Sequence, residues 1–388
     1  MTPQPRAIGD GFGVRLAVFY AGLFVVVGIQ LPFFPVWLKA KGLDPAAIGV
    51  VLATATLVRV VTVPAVARLA DRRGALHHAL IGTSFGAAMA YALVGASSGF
   101  LPILAAVALA TAFYGPTSPL VDAYAIKGLG LRGRSYGPVR LWGSAAFIAA
   151  NLGAGYASAH MPPAGYVWLM VAALVATAAA SLALRPLRPA GAVDSQPRQP
   201  ARLRPRPGFF AIAAAASLIQ ASHAVYYGFS TLDWTAKGLS GTAIGALWAL
   251  GVLAEIVLFA ASGRLPAALG PRALLAIGAA GAVIRWGFMA LDPPAGLIPM
   301  LQCLHGLSFG ASYLGAVQFL ARAAPEGAAA TVQADLSTMQ GLAMAAAAAL
   351  SGVLFENFGD LAYAAMAASA AIGGAIMLLA PRPRSDGA

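Results

Sequence analysis

Charge is what this sequence has least of. Only 10% of its 388 residues are Asp, Glu, Lys or Arg, against 60% hydrophobic, and the mean hydropathy is +0.78. So many apolar residues cannot all face inward in a water-soluble domain. Cysteine is nearly absent too: Cys303 stands alone, which excludes an intramolecular disulfide and a cysteine-based metal cluster. There is no HExxH metalloprotease motif and no glycine-rich phosphate loop opening a helix, and the GxSxG strings, GTSFG at 82–86, GASSG at 95–99 and GLSFG at 306–310, lie inside or between long apolar runs and not at the strand-to-helix turn of a nucleophile elbow. The sequence therefore predicts no enzyme, no metal site and no cofactor. With short tails and no appended signalling domain, a membrane sensor is not favoured either.

What the chain does have is long apolar runs. A bilayer core takes about 20 apolar residues per helix, and such runs lie near 14–38, 46–69, 77–95, 101–125, 139–159, 165–184, 209–236, 241–262, 271–290, 296–322, 332–354 and 361–380. They predict an all-α integral membrane protein with twelve transmembrane helices. The first run is long, lacks a small-residue cleavage site and is followed by a second, so it is read as a retained helix and not as a signal peptide.

Acidic residues are scarce, and 13 of them against 25 Lys and Arg give a net charge of +12. That excess could suit nucleic acid, but its placement argues otherwise. With both termini cytoplasmic, only Lys39, Lys41 and Lys237 fall outside, Arg59, Arg140 and Arg285 lie within or at the ends of helices, and every other Lys and Arg falls inside. This is the positive-inside asymmetry. No nucleic-acid partner is expected; the partners expected are a small-molecule substrate, protons and membrane lipids. A monomeric, multi-pass protein of the bacterial inner membrane is the predicted form.

Two halves flank "RPLRPAGAVDSQPRQPARLRPRPG", a stretch with six prolines and six arginines. Proline keeps such a segment extended, and its arginines suit an anionic cytoplasmic membrane surface. The predicted domains are 1–184, a linker over 185–208, and 209–388. Residues 40–74 align without gaps to 236–270, with 14 of 35 positions identical at an offset of 196, including a shared AKGL, a shared IG and a shared RL. Such self-similarity marks an internal repeat. Two parallel six-helix repeats would place a substrate site between them near the bilayer midplane. The offset makes Arg59 and Glu255 repeat equivalents at matching depths.

A charge in hydrocarbon costs at least about 2.5–3.5 kcal/mol on insertion scales, so charges within the spans should face the bundle interior. Glu255, in "GALWALGVLAEIVLFAASGRL", is read as the proton carrier: low dielectric disfavours its charge and a nearby cation favours it, so a changing partner would load and release a proton. A fixed pair with Arg59 or Arg285 is the rival. His305 and His223 are candidates for proton relay or substrate hydrogen bonding. Arg285 and Arg59 suit a carboxylate through two parallel hydrogen bonds. Tyr226 and Tyr227, beside His223 in "HAVYYGFS", suit an aromatic or sugar-like ligand. Asp122 and Arg140, at the inner ends of adjacent helices, are read as an ion pair that gates or simply holds the inner side. Asp233 is expected as an exposed loop charge, and Asp335 as an acidic residue in the first turn of its helix.

The loop "ARLADRRG" at 67–74 resembles the major facilitator signature between helices 2 and 3, with Ala67 replacing its first Gly. The resemblance implies that Asp71 helps close the cytoplasmic side. More specific are "SPLVDA", "YGPVRLWGSAAF", "QASHAVYYGFSTLDW", "VIRWGFMA" and "LQCLHG". Together they resemble the phenylpropionate permease branch of that superfamily over nearly the whole chain. By that likeness Asp122, Arg140, Trp142, His223, Tyr227, Glu255, Arg285, Trp286 and His305 occupy characteristic positions. One departure is Tyr313, where the phenylpropionate member has His, and it bears on the substrate more than the mechanism. An acid on helix 8, an Arg on helix 9 and a His on helix 10 are also the layout of lactose permease. The resemblance implies a proton-coupled importer of a small aromatic carboxylate, with Trp286 also at the substrate and a nucleoside or sugar symporter as the alternative.

Overall fold

The computed structural model describes residues 11–187, 208–264, 266, 269–323 and 329–381. Most of the expected linker, with its arginines from Arg188 to Arg206, lies outside the described residues, as do Arg6, Arg382 and Arg384. Among the described residues the regular structure is all helical. The α-helices are α1 (Phe12–Ala40), α2 (Pro45–Arg72), α3 (Leu76–Ala96), α4 (Phe100–Gly130), α5 (Gly137–Ala157), α6 (Tyr166–Ala183), α7 (Phe209–Ala221), α8 (Ala224–Ala236), α9 (Gly241–Ala261), α10 (Pro271–Met289), α11 (Ile298–Cys303), α12 (Ser312–Ala323), α13 (Ala329–Phe358) and α14 (Ala362–Leu379).

Nine stretches among the described residues are long and apolar enough to cross a membrane, one of which, Val332–Leu379, takes in both α13 and α14. The expected count of twelve is therefore not reproduced by length and hydropathy alone. Neither α5 nor the run from α11 to α12 is among the nine. Two of the predicted spans are broken. The run 209–236 divides at Ser222 and His223 into α7 and α8, and the run 296–322 divides into α11, a π-helical turn over Gly306–Ala311, and α12. At the first break the side chains compete with the helical ladder: the Ser222 hydroxyl donates to Ile219 O at 2.6 Å and His223 Nδ1 meets Gln220 O at 3.1 Å.

The repeat has a structural cause at each shared residue. AKGL is a helix C-terminus: Gly42 and Gly238 take φ of 85° and 84°, and Leu43 N–H and Leu239 N–H reach back to Leu38 O and Trp234 O, the hydrogen bond that closes a helix after a left-handed glycine. The next residue caps the following helix, as Asp44 accepts from Ala47 N at 2.7 Å and Ser240 from Ala243 N at 3.2 Å. The shared IG is a close crossing. A Cβ at Gly49 would meet Ala348 O and Gly352 on α13, and one at Gly245 would meet Asn151 O and Gly155 on α5. Small residues let helix backbones approach in a membrane, so these two crossings join the halves at symmetry-related places.

Three apolar clusters describe how the halves meet. The largest draws on both, from Val26 to Leu38, Ile48 and Tyr91 on one side and Trp234, Ile244 and Tyr363 on the other. The second, including Phe12, Tyr20, Leu120 and Leu184, belongs to the first half alone. The third, including Phe209, Leu275, Leu320 and Met377, belongs to the second half alone. The halves are thus packed together at the AKGL end and parted at the other. Burial along the repeat helices agrees: α9 has buried residues from Ile244 to Gly251 and none beyond, and α2 has them from Ile48 to Ala53 and then only Ala70.

Two expectations for acidic residues need correction. Asp233 is no exposed loop charge: it is buried near the end of α8 and pairs with Lys237 at 3.0 Å. Asp335 is exposed but lies beyond the first turn, since α13 begins at Ala329, earlier than the apolar run suggests.

Candidate functional site

Where the halves part lies a cavity of about 530 Å³, within the usual range for a small-molecule site. The first half contributes Phe24, Val27 and Leu31 from α1, Asp122 from α4, and Tyr136, Arg140, Ser144 and Phe147 at and along α5. The second contributes Tyr226 and Tyr227 from α8, Trp248, Val252, Glu255, Ile256 and Phe259 from α9, and His305 and Phe309 from the broken segment. Most of the wall is aromatic or aliphatic. The ionisable carboxylates and bases in it are few and face one another.

The break between α11 and α12 positions His305. It immediately precedes the π turn, and its ring stacks on Phe309 at 5.2 Å between centroids. Arg285 on α10 is fully buried behind it and donates to His305 Nδ1 at 2.9 Å and to Gln302 Oε1 at 2.7 Å. Its guanidinium also lies 4.5 Å from the ring centres of both Tyr226 and Trp286. Because arginine only donates, His305 Nδ1 must accept. A neutral His305 therefore carries its proton on Nε2, and that atom faces Glu255 Oε2 at 3.8 Å. The distance is longer than a hydrogen bond and leaves the carboxylate free to turn toward the cavity. Glu255 thus pairs with neither Arg59 nor Arg285.

On the opposite wall, Asp122 does not pair with Arg140. Its Oδ1 accepts from the hydroxyls of Tyr20 at 2.6 Å and Tyr136 at 2.7 Å. Arg140 instead lies over Phe24, 4.0 Å from the ring centre, and near Tyr20 at 5.7 Å. None of the ion pairs among the described residues includes it.

The other expected site residues divide by position. Tyr226 and Tyr227 line the cavity, Tyr226 stacking on Trp248 at 4.5 Å. His223 is fully buried behind the wall, its Nε2 3.2 Å from Ser308 Oγ, and Trp286 is buried with its Nε1 donating to Ser222 Oγ at 3.0 Å. Neither lines the cavity, and nor does Arg285, so direct substrate contact from these three is not what the geometry provides. Arg59 is exposed on α2 beside Gly115 of α4, away from the lining. Asp71 is exposed at the end of α2, and Trp142 is 61% exposed on α5, outside the cavity. Tyr20, Tyr136, Gln302 and Ser308 were not foreseen. Gln302, His305 and Ser308 recur every three residues in an apolar run, a polar stripe that was readable.

A protein-family model described as the MFS_1 like family matches residues 14–364. The chain is 33% identical over 328 residues to the "Probable 3-phenylpropionic acid transporter" of Escherichia coli (strain K12), covering 79% of this chain and 81% of that one. It is 31% identical over 317 residues to the "Maltose permease" of Geobacillus stearothermophilus, covering 80% and 79%. Among solved structures, nucleoside transporter NupG superposes with a TM-score of 0.82 at 14% identity, over 95% of this chain and 98% of that one. The chain belongs to the MFS_1-like family of major facilitator transporters, is phenylpropionate permease-like, and is not an enzyme.

Proposed function

Starting from that membership, we propose that the chain is a proton-coupled secondary transporter that imports a small aromatic carboxylate, such as 3-phenylpropionate, by alternating access. Its twelve spans, two of them broken, form six-helix bundles over 1–184 and 209–388, joined by the cytoplasmic linker 185–208. Both termini are cytoplasmic in a bacterial inner membrane, so the parted end opens inward. The chain acts as a monomer.

The observation that carries this reading is Glu255 opposed to His305 inside an aromatic-walled cavity between the halves. Glu255 takes the coupling proton, with His305 Nε2–H as its partner when it is ionised. Arg285 is a positioning residue: it fixes the His305 tautomer from behind the wall and so acts on coupling through the imidazole. Asp122, held by Tyr20 and Tyr136, and Asp71, at the inner end of α2, serve the closing of the inner side.

A second reading, a nucleoside or sugar symporter, is favoured by the likeness to a maltose permease and to a nucleoside transporter. Competition separates the two. In proteoliposomes, uptake of labelled 3-phenylpropionate should fall with unlabelled aromatic acids and be indifferent to maltose and uridine. Inhibition by the uncharged ligands and not by the acids would replace the first reading with the second.

A further inference from the structure

A second cavity, of about 400 Å³, shares no residue with the central one. It is a groove along the seam of α1 and α5, walled by Val14, Ala17, Val18 and Ala21 on one side and Pro138 and Trp142 on the other, with Arg134 from the turn before α5 at one end. Residues two apart on a helix stand on nearly opposite faces. So α5, which turns Arg140 and Ser144 to the central cavity, turns Pro138 and Trp142 away from it. Val14, Val18 and Trp142 are exposed there, and in a membrane-spanning chain such a face meets acyl chains.

Apolar walls alone would take any lipid tail, and Arg134 is what makes the groove selective. Its guanidinium is pressed against α1 at Gly13, where a Cβ would lie 2.9 Å from Nη1. It enters no ion pair and no side-chain hydrogen bond among the described residues. Its neighbour Arg132 is committed to the chain, lying 4.0 Å from the ring centre of Phe12 and donating to Gly128 O at 2.8 Å. No Asp or Glu of the described residues lines the groove.

We propose that the groove between α1 and α5 is a binding site for one anionic phospholipid, its phosphate on Arg134 and an acyl chain along Val14, Val18 and Ala21 against Trp142. A guanidinium is always charged and presents a fork that matches two phosphate oxygens. The ammonium of a zwitterionic headgroup would find no acid in the groove and would lie beside a fixed positive charge, so a headgroup with a net negative charge, such as phosphatidylglycerol, is preferred. A basic groove between helices at the cytoplasmic face suits such headgroups, and an exposed indole suits the membrane–water interface. The length fits a chain: Val14 to Ala21 spans about 10 Å at 1.5 Å per residue, within one leaflet of a bilayer core about 30 Å thick. That the leaflet is the cytoplasmic one follows from the placement of both termini proposed above; the selectivity of the groove does not depend on it.

The test uses Trp142 as its own reporter. Full-length protein is reconstituted in phosphatidylcholine vesicles in which a rising fraction of the lipid is either phosphatidylglycerol or phosphatidylcholine brominated in the acyl chain, and the fluorescence owed to Trp142 is taken as the difference between wild type and Trp142→Phe. Brominated phosphatidylglycerol should quench that signal at about fivefold lower fraction than brominated phosphatidylcholine. Arg134→Gln should abolish the preference, and Arg134→Lys, which keeps the charge, should retain part of it, so that a folding defect in the first variant is not mistaken for loss of the site. Arg72→Gln, which removes an exposed arginine at the end of α2, should leave the preference intact and so separates the groove from the general charge of that face. Excess inorganic phosphate should not relieve the quenching. Equal quenching by the two lipids in wild type, or a preference that survives Arg134→Gln, would overturn the proposal. So would a Trp142 signal that neither lipid quenches, which would mean that protein and not lipid fills the groove, and so would relief by inorganic phosphate, which would make Arg134 a receptor for any phosphate.

Discussion

Three carboxylates converge on Lys237, just past the end of α8: Asp233 at 3.0 Å, Asp292 at 2.7 Å and Asp360 at 2.6 Å. Burial works against the lysine's charge, but hydrogen bonds to Asp292, Asp360 and Asp233 together outweigh it and hold its pKa above the ordinary value. Asp292 is held below its own, chiefly by the hydrogen bond to Lys237, and it sits at φ 49°, a left-handed position that aspartate tolerates better than most residues. A depressed carboxylate stabilises the fold above its unfolded value of about 3.9, and that contribution is lost as pH falls through the lower folded value. A raised lysine contributes below about 10.4 and loses its share as pH rises through its folded value. Thermal unfolding in detergent should therefore show an acid limb below about pH 4 that flattens in Asp292→Asn. Lys237→Gln should cost about 1–2 kcal/mol, less than breaking a fully buried pair because the network is open to solvent; an unchanged midpoint would show the cluster to be incidental. At the same scale, Arg285→Lys removes the fork that serves His305 and Gln302 at once. Proton-driven uptake should fall about tenfold or more while substrate counterflow, which needs no net proton movement, falls less. Equal loss in both would place Arg285 at the substrate.

At the scale of the elements, sequence pattern and structure part company where a helix is interrupted. Periodicity and hydropathy run unbroken through Ser222–His223 and through Gly306–Ala311, because a break made by side-chain hydrogen bonds or by one extra residue per turn changes no composition. The caps were within reach: AKGL followed by Asp or Ser carries its own conformational logic, since a left-handed glycine and a capping oxygen are local demands. The direction of Arg285 was not. Its helix and depth could be read, but whether it faces the cavity or the back of His305 depends on helix rotation, which tertiary packing sets. The same holds for Asp122, whose partners come from α1 and the start of α5. The shared glycines make an element-scale prediction. Gly245→Val would drive a side chain into Asn151 O on α5 and should loosen the closed end. With spin labels at Ala159 and Thr242 on a Cys303→Ser background, the distance distribution should shift to longer values and broaden relative to the Gly245 parent. An unchanged distribution would mean that α5 and α9 do not close that end.

At the scale of the molecule, one shared apolar cluster at one end and two separate ones at the other describe a protein caught with its halves joined on one side only. The internal repeat in the sequence anticipated that the halves would be alike, and Gly49 and Gly245 show that likeness used twice across the same interface. Which end is closed was beyond the sequence, because alternating states share every residue. The central claim is that the cavity so exposed couples a proton at Glu255 to the movement of an aromatic acid. The most direct measurement is accumulation of labelled 3-phenylpropionate in proteoliposomes under an inward proton gradient, for wild type and Glu255→Gln, with substrate counterflow as the control for folding. The account predicts uphill accumulation by wild type, and in Glu255→Gln counterflow without accumulation. Full gradient-driven accumulation by Glu255→Gln would contradict it.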